Sequence, residues 1–165
     1  MILFRIGRPL LEQVQRDLSR PHPFAYERVG FLLCRSSIMA KHCIINIAFL
    51  YLPVPDEDYI EDRSVGARIG SNAIRKAMQK IIDFGAGAFH IHAHAGRGRP
   101  HPSTTDLREL PELVRSLANA RPKAPHGFVI LSDDQATGFC QMPSDQASHP
   151  IQKILVVGFP MQICV

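Results

Sequence analysis

Between Phe89 and Leu107 the chain reads F-H-I-H-A-H-A-G-R-G-R-P-H-P-S-T-T-D-L, four histidines and an aspartate placed directly after an apolar lead-in. A strand sends alternate residues to one face, so His92 and His94 bring their imidazoles together across about 6 to 7 Å of backbone. Asp106 follows a Gly/Pro/Arg-rich loop, at the point where T-T-D-L-R-E-L begins a helical pattern. A strand, a loop and a helix in that order can return the carboxylate to the histidines. Two neutral nitrogens and one carboxylate suit zinc, and three protein ligands leave a fourth position for water, the pattern of a catalytic rather than a structural site.

The same residues have plainer readings. Alternating histidines on a strand can simply face solvent. Ser103 and Asp106 have the S-x-x-D spacing of a helix-capping box, which accounts for both without metal. Glu27, taken alone, is a surface acid at the start of a strand. Arg97 and Arg99, either side of Gly98, are solvated loop residues or a greeting for an acidic partner.

The remaining periodicity predicts mixed elements. Ile2 to Ile6 reads as a short strand. Pro9 opens a helix that puts Leu11, Val14 and Leu18 on one face, and the prolines of Ser19 to Pro23 stop it. Tyr26 to Arg35 and His42 to Leu52 read as strands joined through S-S-I-M-A-K. The acidic stretch from Pro53 to Ser64 reads as a solvated loop. Ser71 caps a helix with Ile74, Ala77, Met78, Ile81 and Ile82 at helical spacing, which Gly85 and Gly87 end before a strand from Ala88 to His94. Leu107, Leu110, Leu113, Val114 and Leu117 mark a further helical face, with a break and a new start expected at Pro111. Phe128 to Leu131 and Gly138 to Met142 form a hairpin around D-D-Q-A-T, and Ile154 to Phe159 is a last strand.

At 165 residues, 45% hydrophobic and 21% charged, the chain fits one domain spanning 1–165. A net charge of +4 without a basic run or Arg/aromatic interleaving argues against nucleic acid. Cys34, Cys43, Cys140 and Cys164 form no C-x-x-C pair, Arg5 and Arg8 interrupt any signal-like N-terminus, and no apolar run reaches membrane-spanning length. A cytoplasmic protein with reduced thiols, off the membrane, is the expectation.

H-I-H-A-H-A-G-R-G-R-P-H-P-S-T-T-D resembles the signature of the JAMM (JAB/MPN/Mov34) metallopeptidases: a glutamate on an early strand, then H-x-H, seven residues and S-x-x-D. The matching residues are Glu27, His92, His94, Ser103 and Asp106. Glu27 with Gly30, Leu32 and Cys34 resembles the family's E-x-x-G-x-L-x-G strand, Cys34 replacing the last glycine. Eight residues rather than seven separate His94 from Ser103, and Ala95 stands where the family usually has proline. His90 is left outside the ligand set.

The resemblance covers Glu27 to about Phe139 and implies an α/β fold, MPN/JAB-like and similar to cytidine deaminases, with a curved, mainly antiparallel sheet flanked by helices. It implies one Zn2+ on His92, His94 and Asp106, with Glu27 and Ser103 catalytic. Glu27 would carry the proton of the attacking water, and Ser103 would donate to the developing oxyanion. The implied substrate is a ubiquitin-like protein with a C-terminal glycine tail, or its conjugates, cut after that glycine. The short chain is most like prokaryotic members found with ubiquitin-like conjugation or sulfur-carrier systems, some in antiviral defence operons. Two alternatives stay open: an MPN-type scaffold without activity, and a small-molecule amide metallohydrolase.

Overall fold

The computed structural model describes residues 1–21, 26–39, 43–62, 64–143 and 147–164. Strand β1 (Ile2–Gly7) leads into helix α1 (Arg8–Leu18), which buries Val14 and lays Leu10, Leu11 and Leu18 on the sheet. Strands β2 (Val29–Met39) and β3 (Cys43–Pro53) pair antiparallel in the expected hairpin. Ser36 to Met39 belong to β2 rather than to the turn, while Pro23, Ala40, Lys41 and His42 fall outside the described residues. Glu27, expected within the strand, lies two residues ahead of it in a bend.

The acidic stretch is less solvated than its composition implies. A 3-10 turn at Asp56–Asp58 buries Asp58, whose carboxylate takes Lys76 Nζ at 2.6 Å and Asn72 Nδ2 at 2.6 Å. Asp56 pairs at 2.7 Å with Arg28, a 4% exposed guanidinium that also donates to the carbonyls of Arg20 and Pro21. Polar groups withdrawn from water need such partners, so this loop is tied to the core through ion pairs.

Helix α2 (Ser71–Phe84) has Gly70 at its N-cap, with Ser71 the first helical residue. Ala73, Ala77 and Ile81 face inward, while Ile82 is exposed. Strand β4 (Gly87–Ala93) follows, and helix α3 (Thr104–Ala120) runs unbroken through Pro111. The expected break does not form because Pro111 and the residue whose carbonyl it leaves unbonded, Leu107, both lie on the solvent side. Water can serve that carbonyl, and burial of Leu110, Val114 and Leu117 offsets the usual cost of about 3 kcal/mol. Leu107 itself, expected on the buried face, is 64% exposed.

Strands β5 (His126–Leu131) and β6 (Ala136–Gln141) form the second expected hairpin. Three short strands complete the sheet: β7 (Ser148–Pro150), β8 (Lys153–Val157) and β9 (Gln162–Cys164). The expected last strand therefore stops at Val157 and a further one follows. A three-residue strand shows too little alternation to be read from sequence.

The order across the sheet is β7-β6-β5-β4-β2-β3-β1-β8-β9, with five antiparallel and three parallel pairings. The sheet curls enough for Gln162 of β9 to reach the Asp134 carbonyl in the β5–β6 turn at 3.4 Å. Mixed α/β architecture and a mostly antiparallel, curled sheet follow as expected. Alternation along β4 sends Phe89 and Ile91 to the core under α1, and Ala88, His90 and His92 to the face bearing α2 and α3. Among the described residues no helix is long and apolar enough to cross a membrane, and all four cysteines are free.

Candidate metal centre

Register explains why residues far apart in the sequence meet. Val29 of β2 pairs with His92 of β4, and continuing the antiparallel register backwards by two residues brings Glu27 opposite His94. On the other side β5 runs parallel to β4, with His92 opposite Ile130. The His94 amide prolongs that ladder, donating to the Leu131 carbonyl at 2.9 Å. Both histidines are thus fixed by backbone pairing at the carboxyl end of a central strand.

Asp106 arrives from α3. Leu110 and Val114 pack that helix on Phe128 and Ile130 of β5, which sets its first turn beside the end of β4. Ser103 caps the helix in a full capping box: its hydroxyl accepts from the Asp106 amide at 3.1 Å, and Asp106 Oδ2 accepts from the Ser103 amide at 2.8 Å. The hydroxyl hydrogen is also committed, donating to Asp106 Oδ2 at 2.8 Å.

The donor atoms converge. His92 Nε2 and His94 Nε2 are 3.1 Å apart, Asp106 Oδ1 is 3.3 Å from the first, and Oδ2 is 3.3 Å from the second. Donors around a tetrahedral zinc at about 2.0 to 2.1 Å are separated by about 3.3 Å, the spacing at which each histidine nitrogen meets one Asp106 oxygen, a different oxygen in each case. At 3.1 Å the two nitrogens can share one hydrogen, with the donor set by the tautomer, or both turn their lone pairs to one cation. One oxygen of Glu27 and one nitrogen of each histidine all lie within 4.8 Å of one another. Glu27, His92 and His94 could hold a metal ion, and Asp106 lies within 3.3 Å of each histidine through a different oxygen.

Electrostatics favour the carboxylate form of Asp106. Burial pushes the Asp106 carboxyl up, but the hydrogen bond and charge of His92, with the Ser103 donors, outweigh it and hold the group below the ordinary carboxylate range. His90, at 5% exposed, is pushed down to about 3 by burial and then by His92, so it is a neutral ring. It stacks edge-on to Phe31 with ring centroids 5.7 Å apart and lies outside the ligand set, as the spacing implied.

The long loop between His94 and Ser103 is anchored. Ser132 Oγ donates to the Gly98 carbonyl at 2.7 Å, Asp134 Oδ1 accepts from the Gly98 amide at 2.7 Å, and the Asp133 amide donates to the Gly96 carbonyl at 3.0 Å. Gly96 and Gly98 sit at φ of 106° and 88°, a region that glycine enters without strain. Ser132, Asp133 and Asp134 were not singled out in the sequence. Nothing in D-D-Q-A-T marks them, because their role comes from the parallel neighbourhood of β4 and β5.

A groove of about 950 Å³ opens on the site, with Tyr26 and Val65 to Ile69 on one wall and Arg108, Glu109 and Glu112 of α3 on the other. Glu27, His90, His92, Ser103 and Asp106 lie along its floor and inner wall.

No protein-family model and no curated protein matches the sequence. Among solved structures the chain is similar to the Trichoplax adhaerens STIL N-terminal domain, at 11% identity and a TM-score of 0.38, over 84% of this chain and 41% of that one. The chain spans about two-fifths of the length of that relative, and a likeness of this size carries no argument about fold or function.

Proposed function

We propose that the protein is a zinc-dependent isopeptidase of the JAMM type, cutting after the C-terminal glycine of a ubiquitin-like protein. The observation that carries the reading is the convergence of His92 and His94, whose Nε2 atoms are 3.1 Å apart, with Glu27 from the bend before β2 and with an Asp106 oxygen 3.3 Å from each histidine. The curled sheet, with α2 and α3 on the metal face and α1 on the other, supports an MPN-like fold.

When bound, zinc would supply Lewis acidity and make water a nucleophile near neutral pH. His92, His94 and Asp106 would hold it. Glu27 takes the proton of the attacking water and returns it to the departing amine. Ser103 orients Asp106 through the cap; to donate to an oxyanion as well, its hydroxyl must first turn away from Oδ2.

The groove has room for an extended peptide tail. About 950 Å³ lies at the upper end of ordinary ligand pockets, and it is partly open to solvent. A glycine-ended tail carries no side chain at the cut, so backbone can approach the floor. The cytoplasm, away from nucleic acid and membrane, is the proposed setting, with a prokaryotic conjugation or antiviral defence system as context.

Incubation of a tail-extended ubiquitin-like fusion with the protein and zinc, read by mass spectrometry, tests the proposal. Cleavage after the terminal glycine is expected. Turnover of small amides alone would make the protein a metallohydrolase of another class, and no turnover with zinc bound would make it a scaffold.

A further inference from the structure

Glu27 is gripped through its backbone by a single residue. The amides of Tyr26 and Glu27 donate to the Gly66 carbonyl at 2.8 and 2.9 Å. Gly66 lies in the segment closed by the Tyr59–Ile69 bridge, on the groove wall opposite α3. Among the described residues no hydrogen bond fixes the Glu27 carboxylate itself, and a glutamate side chain has several rotatable bonds to lose.

What confines that carboxylate is the bare Cα of Gly66. A Cβ placed there falls 2.5 Å from Glu27 Oε2, 2.7 Å from Cδ and 3.0 Å from Oε1, and these are its three nearest atoms. The backbone at Gly66 lies outside the positive-φ region, so an L residue meets no backbone strain there. Glycine is therefore required by the carboxylate rather than by the turn.

The geometry points to Gly66 as a positioning residue for Glu27, its missing side chain being the space that seats the carboxylate beside the His92–His94 pair. This inference rests on the reading of Glu27 as proton carrier. Gly66→Ala leaves the chain able to fold, because the atom displaced is the far end of a flexible side chain. The carboxylate must retreat by about 1 Å to reach ordinary van der Waals contact. A displacement of that size costs a proton-transfer group about 10²-fold in rate.

Gly66→Ala, Glu27→Gln, the double variant and Gly70→Ala make the test. Gly70→Ala is the control, since its Cβ meets nothing closer than 3.4 Å. The readout independent of activity is the side-chain carboxyl carbon signal of Glu27 in glutamate-labelled protein. It is identified among the six glutamates by its loss in Glu27→Gln. Added Zn2+ is expected to shift this signal in the parent and in Gly70→Ala, and to shift it much less in Gly66→Ala, with zinc affinity and melting temperature near parental. In cleavage assays Gly66→Ala should fall about 10²-fold alone and cost nothing further on Glu27→Gln.

A Gly66→Ala signal that responds to zinc as the parent's does overturns the inference. So does a parental signal with no response, an equal rate loss in the Glu27→Gln background, or the same loss in Gly70→Ala. If the parent cleaves no ubiquitin-like fusion, the proposed function fails, while the carboxyl signal still decides the role of Gly66.

Discussion

Asp106 Oδ2 accepts from both the amide and the hydroxyl of Ser103 at 2.8 Å, and the same oxygen lies 3.3 Å from His94 Nε2. The capping box and the proposed metal motif therefore share one carboxylate. On the proposed reading the two roles of S-x-x-D are compatible, because the cap would aim the ligand.

Ser103→Ala follows from this directly. Loss of the cap should cost about 1 kcal/mol of stability, seen in chemical denaturation, and loss of a hydrogen bond to the ligand should weaken zinc by about 10-fold, seen in a competition titration. Ser103→Thr should restore both. A Ser103→Ala protein with parental stability and zinc affinity but little cleavage would instead place the hydroxyl on the substrate.

Asp134 predicts an effect at a distance from the metal. Asp134→Ala removes the acceptor of the Gly98 amide, so hydrogen exchange should accelerate at Gly96 to Gly98 and cleavage should fall several-fold while zinc stays bound. Unchanged exchange at Gly98 would show that Ser132 and Asp133 alone hold the loop.

Much of this was legible in the sequence, and the failures share a cause. The two hairpins, α2 and the strand carrying His92 were marked by local periodicity and punctuation. Pro111 misled because its cost depends on which face it occupies, and that is set by where Leu110, Val114 and Leu117 find their core. Asp56 and Asp58 misled because composition cannot show that Arg28 and Lys76 come to meet them. The sequence marked Glu27, His92, His94, Ser103 and Asp106 as a spaced set, and the structure brings them to one groove end, with Glu27, His92 and His94 as the group that could hold a metal. Their support was not marked: Gly66, Ser132 and Asp134 act through non-local backbone contacts that leave no periodic trace.

His126 gives a pH prediction with a definite sign. The ring is 1% exposed, accepts from the Ala88 amide at Nδ1 and donates from Nε2 to the Arg121 carbonyl, an arrangement only the neutral form can make. Burial lowers its pKa below the ordinary 6.5, so the native state binds fewer protons than the unfolded one. Its contribution is complete above about pH 6.5 and is lost as pH falls toward the lowered value, with a slope of up to about 1.4 kcal/mol per pH unit. Denaturant unfolding between pH 5 and 7 should show a shallower slope in His126→Asn; equal slopes would assign the acid sensitivity to other groups.

Glu27→Gln separates proton transfer from metal binding. The amide keeps size and polarity but accepts no proton, so cleavage should drop by about 10²-fold or more with zinc content and melting temperature near parental. Parental turnover in that variant would remove Glu27 from the mechanism.

Metal analysis of the purified protein tests the central claim most directly, made on the parent and on the His92→Ala and Asp106→Ala variants under identical zinc exposure. The converging donors predict one tightly held zinc per parent chain and its loss from both variants. A parent without zinc, and variants that take up added zinc as well as the parent does, would contradict it.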